Sequence, residues 1–278
     1  MKKATVIPER LVENIDKLEP LPVTAQRILE HVQGGDVSLA EIARIVEFDQ
    51  AVAANILHFA GSAKFMGYDT PSSVAEAVAR LGTVPMLDLI LGDYLRRVMG
   101  AAPLYSLTED ELWKHGAAAR LAAMAIAEEC GRSSVPPIAS TAALVHDVGK
   151  IIMARTLDAR PEQVLHHAAV RRITFVEAER EMFGVDHAMV GAAIARKWQF
   201  PPLVEDAIAR HHHTPIQEPT AVLDVVVVAN YVAKSLGVGL GAEGFNFPMD
   251  QPAYERLGLD FDSFSRVCLR TEEMLKEL

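Results

Sequence analysis

Cysteine is scarce in this chain, long apolar runs are missing, and basic charge is in deficit. The only two cysteines, Cys130 and Cys268, lie far apart without metal-ligand spacing. That argues against a disulfide framework or a thiolate metal site and predicts buried, reduced thiols. No apolar stretch nears the ~20 residues that span a bilayer, and the valine cluster Val225 to Ala229 is closed off by Asp224 and Asn230. The opening Met-Lys-Lys-Ala-Thr-Val-Ile-Pro has a basic pair but no apolar core of signal-peptide length, so a soluble, cytoplasmic protein without membrane contact is expected. Lysine and arginine number 27 against 37 aspartates and glutamates, a net charge of −10. Nucleic-acid binding needs clustered cations on phosphates, and the lone Arg171-Arg172 pair is too short to supply them, so no nucleic-acid partner is expected. An acidic surface suits protein partners instead.

Alternation of period two is also missing. With 278 residues, half of them hydrophobic, the chain can bury one large core or two modest ones. Between Ser38 and Phe48 the apolar residues Leu39, Ile42, Ala43 and Val46 recur at three and four, which gives a helix one buried face. Hydroxyl residues followed three positions later by glutamate mark helix starts at Ser38/Glu41, Ser73/Glu76, Thr108/Glu111 and Thr174/Glu177. An all-α fold follows. Gly100 to Ser106 interrupts the pattern before the helix near Thr108, which predicts two helical lobes, residues 1–106 and 107–278. The run Gly237-Val-Gly-Leu-Gly-Ala-Glu-Gly244 has neither the strand before it nor the lysine-serine after it that a phosphate loop requires, and reads as a flexible connector.

Chemistry concentrates at Leu144-Val-His146-Asp147-Val-Gly-Lys150. Imidazole and carboxylate are ligands for divalent iron, manganese, nickel or zinc, and an adjacent His-Asp pair joined by His115, His187, His211 and His212 from other helices could enclose such an ion. Lys150 would aim a cation at an anionic substrate or a bound phosphate. Blander readings stand beside this one. His146 and Asp147 could pair only to organise the core. Histidines 211 to 213 suit a helix C-terminus that Pro215 ends. Asp186 is a helix cap, which could leave His187 at the surface. Trp198 with Phe200 reads as a core plug at a helix end.

Taken in order, Pro20-Leu-Pro-Val-Thr-Ala25, Ser38 to Asp49, Ala60-Gly-Ser-Ala63, Ala75 to Gly82, Leu112-Trp-Lys-His115, Leu144 to Lys150, Asp186-His-Ala-Met-Val-Gly191 and Trp198-Gln-Phe-Pro201 resemble the HDOD family, the HD-related output domain of bacterial signalling proteins. The resemblance runs from about Leu18 to Leu240. It implies an all-helical fold whose second lobe is an HD-like bundle with a C-terminal helical extension, related to HD phosphohydrolases and to HD-GYP cyclic-di-GMP phosphodiesterases. HDOD domains are regarded as non-catalytic regulatory modules.

Against the HD-GYP pattern, His115, His146, Asp147, His187, His211 and His212 fall on metal-ligand positions and Lys150 on the family's lysine. Two features depart from it. Asn230 stands where HD enzymes carry a ligand aspartate, and His213-Thr-Pro-Ile-Gln replaces the Gly-Tyr-Pro signature. The implied function is a stand-alone signal-transduction module acting through protein contacts, with a residual divalent-metal site; the alternative is a metal-dependent phosphohydrolase. The resemblance leaves too little chain for a receiver or sensor domain, so input is expected from a signalling partner or a ligand.

Overall fold

The computed structural model describes residues 7–34, 37–61, 71–99, 109–131, 133–157, 161–213, 215–239 and 251–277. Of the described residues 75% are helical, and no strand occurs among them. No helix among them is long and apolar enough to cross a membrane. Two compact units form, one of residues 20–97 and the other of residues up to Glu19 together with 98–278. The break expected at Gly100 to Ser106 and the capping residue Thr108 lie outside the described residues.

The unit of residues 20–97 is built from α2 (Val23–Val32), α3 (Leu39–Phe48), α4 (Gln50–Ala60), α5 (Val74–Leu81) and α6 (Thr83–Met99). Ile28, Ile42, Val46, Ile56, Val78, Met86 and Leu87 fill its core. The hydroxyls of Ser38 and Ser73 accept from the backbone N–H of Glu41 and Glu76, as the spacing predicts. Glu76, however, accepts from Ser72 rather than closing a box on Ser73.

The other unit carries α1 (Glu9–Asp16), α7 (Glu109–Glu129), α8 (Ala139–Val145), α9 (Gly149–Leu157), α10 (Pro161–Arg171), α11 (Phe175–Phe183), α12 (His187–Lys197), α13 (Pro202–Arg210), α14 (Ala221–Ser235), α15 (Gln251–Arg256) and α16 (Phe261–Leu275). Helix α8 is the hub. All seven of its residues are buried, because α7, α13 and α14 pack on it from different sides. Such a helix shows no amphipathic stripe, having no exposed face to mark. Helix α11 opens on a complete capping box between Thr174 and Glu177 and ends at Gly184, left-handed at φ 78°. Trp198 and Phe200 are buried with ring centroids 6.3 Å apart, as a helix-end plug requires. Cys130 and Cys268 are free thiols, only half-buried rather than fully enclosed.

Two glycines let the helices around α8 approach closely. A Cβ at Gly116 of α7 would lie 2.6 Å from the Leu144 carbonyl oxygen, and one at Gly149 would lie 1.9 Å from the His187 oxygen and 2.5 Å from the Gly191 nitrogen. Only hydrogen fits at either place. The first approach sets His115 beside the end of α8, and the second sets the turn before α9 against the start of α12.

Candidate metal centre

Each candidate histidine occupies an end or a close crossing of a helix. His115 lies in α7 next to Gly116, His146 caps α8, His187 opens α12, and His211 caps α13. Asp147 stands in the turn between α8 and α9, and no continuous helix runs through the His-Asp step. All five are buried, with exposures of 6% or less. His212 is half-buried and His213 exposed. The surface readings of His187 and His211 therefore fail, while Asp186 does cap α12 by accepting from the Met189 N–H at 2.7 Å. Asp186 also pairs with Arg180.

One carboxylate holds the centre. Asp147 Oδ2 lies 3.6 Å from His115 Nε2 and 3.4 Å from His146 Nε2. Its other oxygen, Oδ1, lies 3.3 Å from His187 Nε2 and 3.5 Å from His211 Nε2. His187 and His212 bring their Nε2 atoms within 2.9 Å of each other. Ligand atoms of Asp147, His187, His211 and His212 fall within 4.8 Å of one another, and so do those of His115, His146 and Asp147. The structure thus brings together all six residues that the sequence singles out.

The tautomers follow from the outer contacts. His115 Nδ1 donates to the Val238 carbonyl at 3.0 Å, His146 Nδ1 to Ala143 at 2.7 Å, and His211 Nδ1 to Ile208 at 2.7 Å. A carbonyl can only accept, so each ring carries its proton on Nδ1 and turns a bare Nε2 lone pair inward. His187 Nδ1 donates in the same way to the Glu179 carboxylate at 2.7 Å, and Glu179 also accepts from the His187 backbone N–H at 3.2 Å. Histidines that ligate metals are held by outer acceptors of this kind.

Three inward lone pairs, on His115, His146 and His211, facing an acceptor-only carboxylate repel it unless a cation lies among them. Consistent with that, His115 Nε2, His146 Nε2, His211 Nε2 and Asp147 Oδ1 are buried without a hydrogen-bond partner. Buried polar atoms are otherwise nearly always satisfied. The donor set therefore fits a divalent ion.

Electrostatics agree with neutral imidazole ligands at His115 and His211. Burial pushes the His115 imidazolium down to about 3, against the pull of Asp147, and pushes His211 down to about 4. His187 behaves oppositely: burial works against its charge, but the Glu179 carboxylate overrides this and raises it to about 10. For Asp147, burial favours the neutral acid, yet His146 and the Lys150 ammonium hold it well below the ordinary carboxylate range. Lys150, expected to await a phosphate, donates to Asp147 Oδ2 at 2.8 Å. Asn230 is buried on α14 with its Oδ1 unsatisfied.

A pH dependence follows for the metal-free protein. His115 and His211 take up protons in the unfolded chain near 6.5 but in the folded protein only near 3 and 4. The unfolded state therefore binds more protons across that interval, and stability is lost as pH falls below 6.5. His187, raised to about 10, is charged in both states below 6.5 and adds no slope there. Urea unfolding in chelator from pH 6.5 to 4 should show this loss. The loss should shrink in a His115→Gln, His211→Gln variant, and an equal slope in both proteins would contradict the assignment.

Sequence reasoning missed the outer acceptors. The Gly237 to Gly239 stretch is part of the centre rather than a loose connector: Val238 holds His115, and a Cβ at Gly239 would strike the His115 Cβ at 2.5 Å. Residues 240–244 of that run lie outside the described residues.

Known proteins place the chain among relatives. The HDOD domain description matches residues 18–214. An HDOD domain protein of unknown function from Geobacter sulfurreducens is 26% identical and superposes with a TM-score of 0.72, covering 96% of this chain and 94% of its own. A candidate signal transduction protein from Marinobacter aquaeolei VT8, 24% identical with a TM-score of 0.69 over 98% of this chain and 62% of its own, shares the fold. An uncharacterized protein of Treponema pallidum (strain Nichols) is 25% identical over 248 residues, 84% of this chain. The chain spans 45% of that curated relative's length. By its match over residues 18–214, the chain belongs to the HDOD domain family.

Proposed function

We propose that this protein is an HDOD signalling module that holds a divalent metal among His115, His146, Asp147, His187, His211 and His212 and acts through contacts with a protein partner rather than by turnover. A single observation carries the metal: four imidazoles fixed through Nδ1 turn their Nε2 atoms on the two oxygens of one buried carboxylate. The histidine-rich set suits iron, nickel or zinc, and the carboxylate admits manganese. A bound ion of this kind acidifies a coordinated water and polarises phosphoryl oxygens. The chain's own residues are less suited to turnover. Lys150 is engaged by Asp147, and Asn230 offers a neutral amide where a carboxylate would add charge. In this reading the acidic chain, with a net charge of −10, works in the bacterial cytoplasm and receives its signal from a partner.

One observation favours the hydrolase reading instead. The two ligand groups share Asp147, and carboxylate-linked metal pairs serve hydrolysis of phosphate esters in many enzymes. In that reading Lys150 would leave Asp147 for a substrate phosphate. Elemental analysis of natively purified protein, followed by assay with a cyclic dinucleotide and a model phosphodiester, separates the two. We expect bound metal and negligible hydrolysis. Turnover on the order of one per second or faster would replace the module by the enzyme, and metal-free protein that takes up no added manganese, iron or zinc would remove the metal centre.

A further inference from the structure

We infer that the two halves of the cluster are unequal: the first ion seats between Asp147 Oδ1 and His187, His211 and His212, while the Lys150 ammonium holds Asp147 Oδ2 and keeps the His115–His146 half closed to a second ion. The inference rests on the proposed metal centre and adds which half is filled and what excludes the other.

Ligand number favours the Oδ1 half. It offers three imidazoles and one carboxylate oxygen, enough for a four-coordinate shell, whereas the Oδ2 half offers two imidazoles and one oxygen. Availability points the same way. Oδ1 has no hydrogen-bond partner, whereas Oδ2 already accepts from Lys150 Nζ at 2.8 Å. An ion entering the Oδ2 half must displace that ammonium, which is 4% exposed and so has no solvated position within easy reach. Charge gives the third argument. Glu179, wholly buried, stands directly behind His187 and strengthens it as a donor. Behind His115 stands a neutral carbonyl, and two buried lysines, Lys150 and Lys234, act on that ring electrostatically. Binding in the Oδ1 half releases the His187 Nε2 proton to solvent and leaves the Glu179 carboxylate to balance the dication, whereas the two lysines repel it from the other half. Lys150 occupies the second position as an internal cation.

Titrating metal-free protein with cobalt(II) and with zinc(II), read by calorimetry and by cobalt absorption, tests this. The unmodified protein should bind one equivalent tightly. His212→Ala should weaken that ion, and Glu179→Gln should weaken it by about tenfold or more, while His115→Ala should cost it far less than His212→Ala does. Lys150→Met should admit a second equivalent, which the added change His146→Ala removes again. Two equivalents of like affinity in the unmodified protein would overturn the inference. So would a single ion lost with His115→Ala but kept with His212→Ala. The His115 and His212 contrast stands even if Lys150→Met does not fold. No uptake by the unmodified protein would instead remove the metal centre itself, a different failure from two equal ions.

Discussion

Asp147→Ala should leave the protein without measurable affinity for a divalent ion and should lower its unfolding free energy by about 3–5 kcal/mol, the usual cost of breaking a buried ion pair by removing one partner. Both effects come from one side chain because Asp147 faces two ways. Among the described residues its oxygens are the only carboxylate oxygens that the four inward Nε2 atoms of His115, His146, His187 and His211 meet, so its loss leaves imidazoles without a charged ligand. It is also the counter-charge for the Lys150 ammonium, which is 4% exposed. The two roles separate in the double variant Asp147→Ala, Lys150→Met. Removing the lysine as well should restore part of the stability, since no cation is then left in the interior without this carboxylate, but none of the metal affinity. Urea unfolding and zinc calorimetry on the two singles and the double complete the cycle. A double variant no more stable than Asp147→Ala would show that Lys150 and Asp147 are not coupled as a pair.

The helices and the inner residues of the centre were legible in the sequence to the extent that their signals were local. Ser38, Ser73 and Thr174 announce helix starts because a cap acts within three residues. The six His and Asp positions stand out as a set because few other residue types can hold a dication. Helix α8 has no stripe to read, being buried on every side, and was legible only as apolar. The outer acceptors divide by distance along the chain. His146 and His211 donate to carbonyls three residues back, at helix ends where carbonyls lack intrahelical partners. That rule could have been applied to a histidine just past a helix end. Glu179 also left a trace. It falls four residues after Phe175 on the apolar face of α11, and a buried carboxylate there demands a partner. Val238 left none, for its carbonyl reaches a histidine more than a hundred residues away and its own side chain plays no part. The Gly-rich run misled for a related reason, since glycines needed for close approach look like those of a loose linker.

Close approach also sets the last expectation, that Gly149→Ala destabilises the protein and abolishes metal binding although alanine is the better helix former. Two effects oppose one another at this position. Replacing glycine by alanine in a helix contributes about 0.8–1 kcal/mol in favour of folding from propensity alone. Against that, the new Cβ would lie 1.9 Å from the His187 carbonyl oxygen and 2.5 Å from the Gly191 nitrogen, and both are backbone atoms of α12 that no rotamer change can move aside. Overpacking of this kind costs about 1–3 kcal/mol and occasionally more, so the clash wins and α9 must draw away from α12. Asp147 precedes α9 by two residues and would be carried off from His187, whose Nε2 it now faces at 3.3 Å. The control lies in the other unit. Gly92, inside α6, has nothing within 4 Å of its built Cβ and no unusual φ, so Gly92→Ala should raise stability by about 0.5–1 kcal/mol with metal binding unchanged. Thermal unfolding in chelator and zinc calorimetry on both variants decide the matter. If Gly149→Ala proves as stable as Gly92→Ala and still binds zinc, the close crossing of α9 and α12 does not position Asp147, and the geometry of the centre has to be sought elsewhere.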